Sequence, residues 1–194
     1  MAVFAYRKYA GIQASACNFL VKTSLLRENN LRFIHACYWE DFVFTFDLVT
    51  FISRAVLLPD ITYTYLCREN SLSHYQSRPQ LTKAEIMQNV QSINHLKRSF
   101  SNIYSKVYYP NRCLNIVKTD FYMACHIIKR RRDIIPSVSN REIRAMMTHP
   151  ATFRQICTFR QSCLENLLFF ALGKLPPSLC VVVIWMIGKT KKLI

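Results

Sequence analysis

The chain has 194 residues, 51% of them hydrophobic, which is enough to bury a core and excludes a disordered tail. With 26 Lys and Arg against 11 Asp and Glu, its net charge of +15 predicts an anionic partner: nucleic acid, a membrane surface or phosphorylated small molecules. Only three glycines occur, and neither GxGxxG nor GxxxxGK[ST] is present, so the common glycine-rich phosphate cradles are excluded.

Residues 1–16 are mixed in character and give no recognisable domain start; Met1-Ala2-Val3-Phe4-Ala5-Tyr6-Arg7 lacks the charged-then-apolar order of a signal peptide. Asn18-Phe19-Leu20-Val21-Lys22-Thr23 reads as a strand. Ser24 then caps a short helix that the pair Asn29-Asn30 stops, and Leu31-Arg32-Phe33 is extended. From Phe42 the apolar positions Phe42, Phe46, Val49 and Ile52 fall at helical spacing, which places Glu40 and Asp41 in the first turn of an amphipathic helix. Ala55-Val56-Leu57-Leu58 is a buried-strand candidate and Pro59-Asp60 a turn. Ile61-Thr62-Tyr63-Thr64-Tyr65-Leu66 alternates β-branched and aromatic residues as a strand does, and it leads into the polar loop Arg68-Glu69-Asn70-Ser71-Leu72-Ser73-His74.

After Pro79 the pattern turns helical. One helix is expected from Leu81 to about Lys106, with Ile86, Val90, Ile93, Leu96 and Phe100 on its apolar face. Pro110-Asn111 breaks it. A second runs from about Cys113 to Lys129 and ends in the basic run Lys129-Arg130-Arg131-Arg132, well placed at a helix C-terminus. Ser139-Asn140-Arg141-Glu142 opens a short helix that Pro150 closes. Two strongly apolar runs follow, residues 167–172 and 179–187, parted by Gly173-Lys174-Leu175-Pro176-Pro177-Ser178. Each is well short of the roughly 20 residues of a membrane span. With Lys189, Lys191 and Lys192 beside it, this apolar hairpin fits a membrane interface.

Eight cysteines are scattered, several within apolar stretches, with no CxxC and no Cys/His spacing of a zinc site, so reduced thiols of a cytosolic protein are expected.

The local reading of Glu40 and Asp41 is helix-dipole compensation, and that of Arg68 a solvated side chain. The order of features says more. Leu25-Leu26-Arg27-Glu28-Asn29-Asn30-Leu31-Arg32-Phe33 is followed by Trp39-Glu40-Asp41-Phe42-Val43-Phe44. After these come Val56-Leu57-Leu58-Pro59-Asp60, Tyr63-Thr64-Tyr65 and Arg68-Glu69-Asn70-Ser71. This succession resembles the second half of the family-2 glycosyltransferase domain, of GT-A fold. The resemblance implies an α/β (α+β) architecture: a partial GT-A-like region over residues 1–78, then a mainly α-helical C-terminal region. The latter divides into 79–163 and an apolar, Lys-flanked membrane-associating segment, 164–194.

The resemblance also implies chemistry. A sugar would pass from a nucleotide-sugar donor to a hydroxyl of a glycan or lipid-linked acceptor, with inversion, in bacterial surface polysaccharide or glycan synthesis. Asp41 matches the general base and Glu40 its neighbour, which orients the acceptor. Trp39 would offer an aromatic face to a sugar. Arg68 and Ser71 match a loop that closes near the diphosphate, with His74 in reach of phosphate. Mg²⁺ or Mn²⁺ is expected for the full-length family enzyme, but no Asp-x-Asp occurs and no acid precedes Glu28, so no complete metal site is expected here. The donor-binding half is therefore expected to be missing and the chain alone inactive, as a truncated product, an incomplete gene model or a remnant, placed peripherally at the cytoplasmic face of the cell membrane. The alternative is a non-catalytic basic helical module on a membrane surface or nucleic acid. Nucleic acid is the less expected partner, because no helix–turn–helix or RNP-like motif is present.

Overall fold

In the computed structural model, which describes residues 16–36, 39–56, 64, 66 and 80–194, the first regular helix is α1, Thr23–Glu28. Its stop is the one read from the sequence. Asn29 Nδ2 donates to the Leu25 carbonyl at 2.9 Å, and Asn30 turns left-handed with φ 48°. Its start is not: Lys22 holds the cap position without a side-chain bond, and Ser24 lies inside the first turn. The strand expected over 18–23 does not form. A single 3₁₀ turn, Ala16–Asn18, precedes irregular backbone, and among the described residues no strand lies beside it to take up its peptide groups.

Helix α2, Glu40–Phe51, forms as expected, but it buries a different face. Val43, Phe44, Thr45 and Leu48 are inside, while Phe42, Phe46, Val49 and Ile52 are half-buried. Both stripes are apolar, so periodicity alone could not choose between them. Phe33 stacks on Phe44 with centroids 4.2 Å apart and 12° between planes, which ties the preceding segment to α2. Of the strand expected over 55–58, Ala55 and Val56 are exposed and irregular, and the rest lies outside the described residues. Of 61–66 only Thr64 and Leu66 are described, and neither is in a strand. Among the described residues, then, this part of the chain supplies helices and no sheet.

The chain divides into two compact units, Met1–Ser77 and Arg78–Ile194. The second is helical around one core. Helix α3, Lys83–Ser99, opens on a capping box: Glu85 N donates to Thr82 Oγ1 at 3.3 Å and Thr82 N to Glu85 Oε2 at 3.0 Å. Its expected face, Ile86, Val90, Ile93, Leu96 and Phe100, is buried throughout. The helix ends at Ser99 and tightens into a 3₁₀ turn, Phe100–Ile103, rather than reaching Lys106. Helix α4, Tyr109–Lys129, starts earlier than expected. Pro110 sits in its first turn, where a missing N–H is harmless, so the residue read as a breaker is part of the helix start.

Two short strands, β1 (Leu81–Thr82) and β2 (Ile134–Ile135), pair in parallel, with Leu81 opposite Ile134. Helix α5, Asn140–Met146, starts where expected and carries a capping box of Ser139 and Glu142; the Glu142 carboxylate also meets Lys83 Nζ at 2.7 Å, joining α5 to α3. Helix α6, Phe153–Cys157, is capped by Thr152 and Gln155 in the same way. The apolar hairpin is a pair of helices, α7 (Cys163–Leu172) and α8 (Pro177–Thr190).

Both pack on α4. Lys118 meets Glu165 at 3.0 Å and Phe121 lies edge-on to Phe169 at 5.9 Å, while a Cβ on Gly188 would stand 3.1 Å from the Cys125 sulfur. Positions 118, 121 and 125 form one i, i+3, i+7 stripe, so α7 and α8 cover the same side of α4. No described helix is long and apolar enough to cross a membrane.

Two polar clusters are sealed in this core. The Lys97 ammonium of α3 contacts the Asp120 carboxylate of α4 and donates to the Met146 carbonyl at 2.7 Å. Asp120 is 1% exposed, and burial pushes its carboxyl up to about 7 against the opposing pull of Lys97. In the second cluster, Ala151 N donates to His149 Nδ1 at 3.0 Å, which leaves the proton on Nε2 for Asn166 Oδ1 at 2.9 Å. The Asn166 amide in turn donates to the carbonyls of Ser162 at 2.7 Å and Pro110 at 3.3 Å.

Candidate active site

The sequence points to Trp39, Glu40 and Asp41, and the backbone gives this triplet an unusual setting. Trp39 takes the left-handed conformation, φ 65° and ψ 12°, directly before α2. A bulky side chain there is strained and persists only where its surroundings hold it. Its ring lies edge-on to Phe42, centroids 5.1 Å apart at 73°, and Phe42 in turn lies 6.4 Å from Phe46. The sharp turn puts Glu40 and Asp41 on the first turn of α2, where unpaired backbone N–H groups and the helix dipole favour negative charge.

The two carboxylates are half-buried, and neither is in an ion pair among the described residues. Asp41 Oδ1 accepts from the Phe42 backbone N–H at 2.7 Å. Oδ2 has no hydrogen-bond partner among the described residues. One oxygen is thus anchored by the backbone while the other can accept a proton or a substrate hydroxyl.

Of the other expected site residues, Arg68, Ser71 and His74 lie outside the described residues. No group of three or more His, Cys, Asp or Glu among the described residues could hold a metal ion. Thiol chemistry is also disfavoured in the helical core: burial pushes Cys113 up to about 12 and Cys125 to about 11, which keeps both as inert thiols.

The sequence did not foretell the left-handed turn at Trp39. Nothing in Tyr38-Trp39-Glu40 marks a positive φ in the way a glycine would. No family model matches the chain, and neither does any curated protein or solved structure.

Proposed function

We propose that this chain is the C-terminal part of a family-2 glycosyltransferase of GT-A type, and that Asp41 is its general base. The observation that carries the reading is the state of that carboxylate. It stands on a strained turn at a helix start, with Oδ1 tied to the Phe42 N–H and Oδ2 open. The ordered features from Leu25 through Phe44 support it.

In this reading the acceptor hydroxyl attacks the anomeric carbon as Asp41 Oδ2 takes its proton. The bond from that carbon to the diphosphate breaks, the nucleoside diphosphate leaves, and configuration inverts. Glu40 orients the acceptor and Trp39 offers a ring face to a sugar. Arg68 and Ser71 would meet the diphosphate, with His74 nearby. The acceptor is a glycan or lipid-linked glycan, and the protein works peripherally at the inner face of the bacterial membrane.

The test is sugar transfer from a panel of nucleotide-sugars to lipid-linked acceptors by the full-length protein that carries this chain, with and without Asp41→Asn. The variant should lose 10²–10⁴-fold in kcat/KM, in keeping with removal of a general base, while donor KM changes little. Full activity in the variant would refute the assignment.

A further inference from the structure

Surface helices normally turn polar side chains to water. Helices α7 and α8 do not. In α8 the positions inside are Cys180, Ile184 and Gly188, an i, i+4, i+8 stripe. The opposite side carries Leu179, Val182 and Met186, which are 48%, 49% and 47% exposed. In α7 the buried residues are Asn166 and Leu172, while Leu164 and Leu168 are 71% and 63% exposed.

Beside α7, a shallow apolar hollow is lined by Phe153 of α6, by Leu167, Leu168 and Phe170, and by Leu175 of the following turn, with Lys174 at its edge. An exposed apolar surface of this kind on a stable domain marks a docking site.

Charge tells what covers it. From residue 164 to the end the chain has four lysines, Lys174, Lys189, Lys191 and Lys192, and one acid, Glu165, which pairs with Lys118. None of the four lysines is in an ion pair among the described residues. Two fold back over exposed aromatic surface: Lys189 Nζ sits 4.4 Å from the Trp185 ring centre and Lys174 Nζ 5.2 Å from that of Phe170. A long stem on apolar surface with its ammonium at the edge is the arrangement of a side chain at a lipid–water boundary. A second copy of the chain would set lysine against lysine. An anionic bilayer matches both the apolar faces and the charged rim.

We infer that the outward faces of α7 and α8, rimmed by Lys174, Lys189, Lys191 and Lys192, form a docking surface for an anionic lipid bilayer. The two helices lie in the headgroup layer, with Val182, Met186 and Leu168 entering the acyl boundary and the lysines on lipid phosphates. The inference deepens the membrane location of the reading above and owes nothing to its transfer chemistry. Vesicle binding needs no sugar donor, so either can fail alone.

The experiment is co-sedimentation of the full chain with vesicles of phosphatidylcholine alone or with roughly one-third phosphatidylserine. Binding to the anionic vesicles only is expected, weakening as salt rises. Val182→Ser with Met186→Ser should weaken it at least tenfold. Lys189→Gln, Lys191→Gln and Lys192→Gln together should weaken it about 100-fold, at about fivefold per lysine. Because Val182 and Met186 are about half exposed and the three lysines are exposed and unpaired among the described residues, thermal unfolding should be unchanged.

A readout that leaves this surface untouched is Trp185 emission in a Trp39→Phe background, which should shift to the blue on anionic vesicles. Three results would overturn the inference. They are serine variants that bind as tightly as wild type, Trp185 emission indifferent to vesicles, and a dimer in place of vesicle binding that the serine pair dissociates.

Discussion

Lys97→Met isolates a charge pair that the helical core encloses. The substitution keeps the length of the side chain and removes its ammonium, leaving Asp120 1% exposed with no hydrogen-bond partner for either oxygen among the described residues. Removing one member of a buried pair costs about 3–5 kcal/mol. The direction agrees: burial raises the Asp120 carboxyl and Lys97 pulls it back down, so losing the ammonium leaves the charged form with the burial penalty unopposed.

The sign with pH follows. A carboxyl whose folded value is raised contributes stability that is complete below its unfolded value and is lost as pH rises through the folded one. In the wild type that window runs from about 4 to about 7. In Lys97→Met the opposing pull of the ammonium is gone, so the window extends upward and the deficit grows with pH. Urea unfolding at about pH 5 and about pH 8 measures it. Lys97→Met with Asp120→Leu should recover most of the loss, short of about 1 kcal/mol for the Met146 carbonyl left without its donor. A single-variant loss under about 1 kcal/mol, or a double variant no better than the single, would refute this account of the pair.

Gly173→Ala should destabilise by about 1–3 kcal/mol, because the new methyl runs into the Met147 carbonyl, a backbone atom that cannot rotate away; chemical denaturation reads it, and a neutral substitution would show the α7–α8 turn to be looser than it stands here. His149→Gln addresses acid sensitivity. Burial holds the His149 imidazole below its ordinary 6.5, so its contribution is present above that value and is lost as pH falls through the folded one. The variant should cost about 1 kcal/mol at about pH 8 and show a shallower fall in stability below 6.5, measured by thermal melts across pH.

The sequence was most legible where local chemistry and tertiary packing ask for the same thing. The face Ile86, Val90, Ile93, Leu96 and Phe100 reads at helical period and is buried, because the opposite side of α3 is polar enough to leave one choice. The Ser139 and Glu142 box reads because its two hydrogen bonds involve neighbours only. Thr82 with Glu85 and Thr152 with Gln155 carry the same spacing and were equally open to reading. Legibility fails where partners come from elsewhere. Phe19-Leu20-Val21 has the composition of a strand but no neighbouring strand among the described residues; α2 has two apolar sides and only the fold selects one. Lys97 and Asp120 each look like a solvated charge until two helices bring them together. The place of Glu40 and Asp41 at a helix start was legible from the apolar spacing that follows them, whereas the left-handed turn at Trp39 was not, because no residue there advertises it.

Three places break the local rules, and they differ in whether anything nearby compensates. Asp120 is a charge in the core, but Lys97 answers it, so the pair explains itself as structure. Trp39 adopts a backbone conformation unfavourable for an aromatic residue, and what that turn achieves is to set two half-buried carboxylates, neither ion-paired among the described residues, at a helix start. The outward sides of α7 and α8 put Val182, Met186, Leu164 and Leu168 into water with no described residue over them. Uncompensated departures of this kind mark function more often than packing. The same logic separates their tests. Asp120→Leu must be paired with Lys97→Met to be tolerated, whereas Asp41→Asn and Val182→Ser should leave the fold as stable as before and be felt only by the acceptor and the bilayer respectively.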